Sequence, residues 1–201
     1  FKNHYLTLFF YLFKKNNVNL IPHKHIYYLN SDSIDKYNAF FNNHINSKYI
    51  ILHIDAKWDN YNININEFNT LLKKISSNLK VIITTGIEES VFILELKSLY
   101  KKYYFKNDII HKSNEATNNI FILDNINLNL LGAFIKNSVL FISSHSGAPF
   151  HISASFNVPI IDFIKKEKEL EYDRWIPLNI KYFRANIDNL RDLEKLVFNL
   201  T

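Results

Sequence analysis

The sequence predicts an α/β fold, a single Rossmann-like parallel sheet with helices on both faces. Three observations carry this reading. Short runs rich in Ile, Val and Phe recur between residues 49 and 164. They are continuous rather than alternating, the pattern of strands covered on both faces. Between them lie stretches with an apolar residue every three or four positions, and strand–helix alternation at this spacing implies right-handed crossovers.

Residues 1–47 lie outside this alternation and are expected to be an N-terminal helix and linker, with residues 48–201 forming the domain. The segment opens on an aromatic-rich helix in which Tyr5, Leu8, Phe9 and Leu12 share one face. It then passes Pro22 and continues as an Asn/Ser-rich connection. Tyr49 to Ile54, bounded by Asp55, is the first strand, and Glu67, Phe68, Leu71, Leu72 and Ile75 mark the helix after it. Lys80 to Thr85 is the second strand, ending at Gly86. Glu88 to Tyr104 reads as a longer helix, with Phe92, Leu96, Leu99 and Tyr103 on one stripe. Asn119 to Leu123, Ser138 to Ser143 and Val158 to Ile164 are three further strands. Helices over Leu128 to Lys136 and Pro149 to Phe156 separate them, and Asp188 to Leu200 closes the chain.

Composition sets limits. With 47% hydrophobic and 21% charged residues, the 201-residue chain can bury a sizeable core, which excludes disordered and low-complexity classes. Cysteine is absent, removing disulfides, thiolate metal sites and cysteine nucleophiles together. The longest apolar run, Tyr5 to Phe13, falls short of the roughly 20 residues a membrane span needs, and no signal-peptide cleavage site follows it. The chain holds 28 Asn and 28 Ile against 3 Gly, a bias toward A/T-rich codons, so its composition carries little functional information. The +5 net charge comes from a lysine-rich N-terminal quarter rather than an arginine-lined stripe, which argues against a nucleic-acid partner. A weakly basic surface of this kind suits peripheral contact with anionic lipid. The expected location is cytoplasmic, at most peripheral at the inner face of the cytoplasmic membrane. Because the sequence lacks methionine and starts at Phe1, an upstream portion is expected.

In open parallel sheets the ligand crevice lies beyond the carboxyl ends of the strands, and three of those ends are polar here. The first carries His53, Asp55, Lys57, Trp58 and Asp59. Its acids and lysine can position a sugar or phosphate or form a solvated loop. Trp58 is a stacking platform or a packing anchor, and His53, inside a strand, reads as a core histidine. The second end carries Thr85, Gly86 and Glu88. The third, Ser143 to His151, is the most informative. Gly147 and Ala148 let the backbone turn tightly, and Pro149 suits the first position of a helix. The free N–H groups and dipole of that helix favour a phosphate, with His151 in its first turn and Ser144 and Ser146 as hydroxyl donors. The competing reading is a capped helix with Ser146 as the cap and His151 in packing. Further on, Arg174 can pair with a phosphate. No His/Asp/Glu spacing suggests a metal site, and no nucleophile elbow supports a Ser–His hydrolase.

From about Ile50 to Arg184 the chain resembles the C-terminal half of the heptosyltransferase-type glycosyltransferases of family 9. That family places a strand, then Asp-Ser/Thr-Gly-x-x-His opening a small-residue helix, then Pro and an apolar strand. Phe141 to Gly147, His151 to Ser155 and Pro159 to Ile161 follow this order. Thr85 to Glu88 is similar to the family's second strand end, and the opening helix with His4 to the linker leading into this half. Three departures stand out. His145 takes the place of the aspartate, the glycine-to-histidine spacing is one residue longer, and Lys57 comes early, with Tyr61 near the expected lysine position.

The resemblance implies one Rossmann-like half of a GT-B fold that binds a nucleoside-diphosphate sugar. The implied binding residues are Lys57, Thr85, Glu88, Ser144, His145, Ser146, Gly147, Ala148 and His151, with Asp55, Trp58 and Arg174 beside them. It implies inverting transfer to a saccharide or glycolipid acceptor of the cell envelope, with no cofactor and no metal. The family draws its catalytic base from the N-terminal half, so no catalytic residue is expected in this chain, which alone should turn nothing over. Two alternatives stay open: a degenerate, non-catalytic binding module, which His145 favours, and a nucleotide-sugar epimerase on the same architecture.

Overall fold

The computed structural model describes residues 15, 27–86, 90–105, 108–112, 119–177 and 180–201. The expected helix around Tyr5 to Phe13, Pro22 and Glu88 lie outside these residues, as does the side chain of Arg174.

Among the described residues eight strands form one sheet: β1 Tyr49–Ile54, β2 Lys80–Thr85, β3 Lys101–Phe105, β4 Asp108–Lys112, β5 Ile120–Leu123, β6 Leu140–Ser143, β7 Ile160–Ile164 and β8 Tyr182–Asn186. Their order is β3-β4-β5-β2-β1-β6-β7-β8. The five expected strands, with β8, are mutually parallel. β3 and β4 add an antiparallel hairpin at one edge. The helices are α1 Ser31–Phe40, α2 Ile65–Ser76, α3 Val91–Ser98, α4 Leu128–Lys136, α5 Gly147–Ser155, the short α6 Glu169–Tyr172 and α7 Leu190–Leu200.

Strand geometry explains the two cores. Successive side chains point to opposite faces, so Ile50, Leu52 and Ile54 join one cluster with Trp58, Phe68 and Phe163. Tyr49 and Ile51 join the other with Phe40, Phe134 and Phe141. A strand buried on both sides has no polar positions to give, which is why these runs are continuous.

Three expectations are corrected, and one strand is added. The helix expected from Glu88 to Tyr104 stops at Ser98, where Leu99 and Tyr100 tighten its last turn by donating to Leu96 and Lys97 carbonyls. The aromatic run Tyr103-Tyr104-Phe105 then enters β3, since aromatic residues suit a pleated surface and the apparent helical stripe was coincidental. The Asn/Ser-rich connection contains α1, capped by Asn30, whose side chain accepts from Ser33 N at 2.9 Å, and anchored in the core by Tyr37 and Phe40. β8 has no continuous apolar run because it is a half-exposed edge strand. Finally, α5 begins at Gly147, which puts Pro149 third and His151 fifth, two residues deeper than expected. Proline is tolerated there because N–H groups of a first turn have no intrahelical partner.

The parallel strands run β5-β2-β1-β6-β7-β8. The chain builds outward from β1 through β2 and β5, then returns to β6 on the other side of β1. This is the 3-2-1-4-5-6 order of a doubly wound sheet, whose ligand crevice opens between the first and fourth parallel strands. Among the described residues no helix is long and apolar enough to cross a membrane.

Candidate functional site

β1 and β6 are parallel neighbours with His53 opposite Ser143, so Asp55 and Ser144 leave the sheet side by side. Asp55 caps the 3-10 turn Ala56–Asn60 by accepting from Lys57 N at 3.1 Å. Its carboxylate also accepts from Ser144 Oγ at 3.3 Å and Ser146 Oγ at 2.7 Å. Lys57 crosses the same gap, its Nζ donating to the His145 carbonyl at 3.0 Å and lying 3.9 Å from Asp55. Ser146 therefore ties two strand ends together and makes no side-chain cap of α5, contrary to the capped-helix reading.

Two residues of this turn adopt left-handed backbone. Gly147 has φ +28, and a Cβ there would meet nothing within 4 Å. His145 has φ +56; among the described residues the other non-glycine residues with positive φ are all asparagine, the type that tolerates it best. The His145 ring is held from three sides. Its Nδ1 is 2.7 Å from Asp162 Oδ2, its face stacks on Tyr172 at 4.2 Å between centroids, and Phe150 lies 4.7 Å away. Asp162, on β7, is fully buried and accepts on the same oxygen from the Tyr182 hydroxyl at 2.8 Å. Arg184 donates to that hydroxyl at 2.8 Å and pairs with Asp173 at 2.7 Å.

These elements enclose a pocket of about 330 Å³ lined by Lys57, His145, Gly147, Phe150, His151, Tyr172 and Trp175. Burial raises the Tyr172 hydroxyl, with Glu171 adding to it. Nearby, burial first and then Tyr172, Asp55 and Asp162 push Tyr61 up to about 12. Both phenols stay neutral hydrogen-bonding groups at ordinary pH.

The structure brings Asp55, Lys57, Ser144, His145, Ser146, Gly147 and His151 to one crevice. Ala148 follows Gly147 on the exposed first turn of α5. Thr85 is one strand over, where its hydroxyl donates to Asp124 at 2.9 Å and accepts from Asn125 N, outside the pocket lining. Asp124 in turn pairs with Lys97 at 2.6 Å. Trp58 is a packing anchor: it is fully buried against Phe68, Phe92 and Phe163. Asp59 caps α3, accepting from Val91 N and Phe92 N at 3.1 and 3.0 Å. His53 is buried, its Nδ1 2.9 Å from Thr84 Oγ1, and burial holds it down at about 4. Among the described residues no cluster of three or more His, Asp or Glu could hold a metal ion.

Sequence reasoning missed Phe150, Tyr172, Trp175 and Asp162 as parts of the site. One signal was present for Asp162, a carboxylate inside the apolar run Ile160 to Ile164, because a buried charge needs a partner. Tyr172 and Trp175 sit in a polar stretch whose path back over the crevice depends on tertiary structure, and Phe150 lies within the Ser143 to His151 segment as a packing residue of α5.

No family model and no curated protein matches the chain. Solved structures do. A family 9 glycosyl transferase from Veillonella parvula superposes with a TM-score of 0.69 at 12% identity, over 98% of this chain and 58% of that one. The ADP-heptose heptosyltransferase II of E. coli follows at 0.62 and 12%, over 92% and 56%. The chain has the Rossmann-like fold of a GT-B glycosyltransferase half. The UDP-GlcNAc 2-epimerase of Methanocaldococcus jannaschii, solved with UDP-GlcNAc and UDP, gives 0.55 at 17%, over 85% and 42%. The chain thus spans less than two thirds of the length of each of these proteins.

Proposed function

We propose that this chain is the donor-binding half of a glycosyltransferase that holds a nucleoside-diphosphate sugar in the pocket between β1 and β6. One observation carries the reading: the pocket lies at the switch point of a doubly wound sheet, where α5 opens on a left-handed glycine with no neighbour beside it. There the Ala148 N–H and the helix dipole favour a diphosphate, while the Gly147 N–H is taken by the His145 carbonyl and Pro149 has none. Lys57 and His151 supply donors at the rim, and the exposed face of Trp175 offers a surface for the base or sugar. In transfer by inversion, an acceptor hydroxyl attacks the anomeric carbon and the diphosphate leaves with the bonding electrons. Donors aimed at that developing charge lower the barrier. The likeness to the family 9 enzyme and the heptosyltransferase supports an envelope saccharide or glycolipid as the acceptor. The family's base lies in its other half, so this chain is assigned binding and not turnover, and no metal or cofactor is invoked.

The likeness to the 2-epimerase supports a second reading, epimerisation of the same kind of ligand. Both begin from donor binding, which isothermal titration of UDP, ADP and their sugar conjugates into the chain tests. Micromolar-to-millimolar affinity that Lys57→Ala weakens supports the reading, and no binding refutes it. Product analysis with a protein carrying an N-terminal half then separates transfer from epimerisation.

A further inference from the structure

The His145–Asp162 pair sits where neither the sheet nor the helix requires it. The left-handed backbone at His145 is costly for a residue of its shape and persists only where its surroundings over-determine it. Asp162 is fully buried. Its Oδ2 takes both the imidazole Nδ1 and the Tyr182 hydroxyl, while its Oδ1 has no hydrogen-bond partner among the described residues. Arg184 reaches the carboxylate only through that hydroxyl. A buried carboxylate so placed takes its hydrogen bonds from the ring and the phenol rather than from a neighbouring lysine or arginine. With Nδ1–H engaged by Asp162, Nε2 is the nitrogen left for the pocket that the ring lines.

We propose that His145, positioned by Asp162, is a proton-linked clamp for the diphosphate, an imidazolium whose Nε2–H binds the phosphate oxygens. The inference rests on the donor-pocket reading. A diphosphate in the pocket favours the charged imidazole over the neutral one, so binding takes up a proton and weakens as pH rises. The groups around the ring are Asp162 on β7, Tyr182 and Arg184 on β8, Tyr172 on α6, His151 on α5, and Lys57 and Asp55 at the end of β1. The Lys57 ammonium is itself bound to the His145 carbonyl. Asp162 acts through His145 and is a positioning residue.

The test titrates inorganic pyrophosphate and UDP into the chain across about pH 6 to 8, comparing wild type with His145→Asn. Asparagine accepts left-handed backbone and does not titrate in this range. The ligand's own ionisation is common to both proteins and drops out of the ratio. The expected ratio is about tenfold in favour of wild type near pH 6, shrinking several-fold by pH 8. Asp162→Asn should move this decline to lower pH, a shift that a merely structural carboxylate would not produce. A ratio independent of pH overturns the clamp and leaves the donor pocket standing. Absence of binding at every pH overturns both. Should His145→Asn fail to fold, nitrogen-detected NMR of the wild-type imidazole decides. A proton on Nε2 near neutral pH with pyrophosphate bound supports the clamp, and a bare Nε2 refutes it.

Discussion

Asp55 and Ser146 lie 91 residues apart in the chain and 2.7 Å apart in the fold. The contact joins the loop after the first strand to the turn before α5, and so sets the width of the crevice between them. Asp55 also caps its own turn and accepts from Ser144. Hydrogen bonds to a charged group contribute about 1.5–3 kcal/mol each at most, and bonds sharing one carboxylate are not additive. Asp55→Ala is expected to cost about 2–3 kcal/mol in urea unfolding and to lower UDP affinity. Ser146→Ala, which leaves Asp55 its other donors, should cost about 1 kcal/mol.

Gly147→Ala separates backbone from packing. Its new methyl meets no protein atom, so the expected loss of about 1–2 kcal/mol comes from the left-handed backbone. Gly147 lines the pocket, so diphosphate affinity should fall by more than stability does. Thermal unfolding and calorimetry on the same variant check the two effects.

His53 makes stability depend on pH. Its folded value is held at about 4 by burial, below the ordinary 6.5 of the unfolded chain. Between these values the unfolded state binds the extra proton, so stability rises with pH. It is fully present above about pH 6.5 and is lost as pH falls toward 4, by about 3 kcal/mol in all. Denaturation midpoints measured across this window should show that slope, and His53→Gln should flatten it.

The two tryptophans have opposite roles. Trp58→Ala is expected to cost about 3–5 kcal/mol by opening a cavity among Phe68, Phe92 and Phe163. Trp175, 48% exposed at the pocket rim, should change stability little on truncation but weaken UDP by about 1 kcal/mol. Equal effects of the two changes on unfolding would contradict this division.

The parallel sheet was legible because doubly buried strands leave continuous apolar runs, as Tyr49 to Ile54 shows. β8 and the β3–β4 hairpin were not, since edge strands carry polar residues and Tyr103 happens to keep helical spacing with Leu99. The crevice was legible from Asp55, Lys57 and the Ser144 to His151 segment, because strand ends in such a sheet gather on one edge. Its far wall was hidden. Tyr172 and Trp175 join the site through the return of the chain after β7, and no local pattern records that path, whereas Asp162 on β7 was marked only as a carboxylate inside an apolar run.

The structure of the chain with UDP bound tests the central claim most directly. The diphosphate is expected between Lys57 and the first turn of α5, with a phosphate oxygen within hydrogen-bond reach of the Ala148 N–H and of His145 Nε2. UDP lodged at another edge of the sheet, or an empty β1–β6 crevice at saturating ligand, would contradict it.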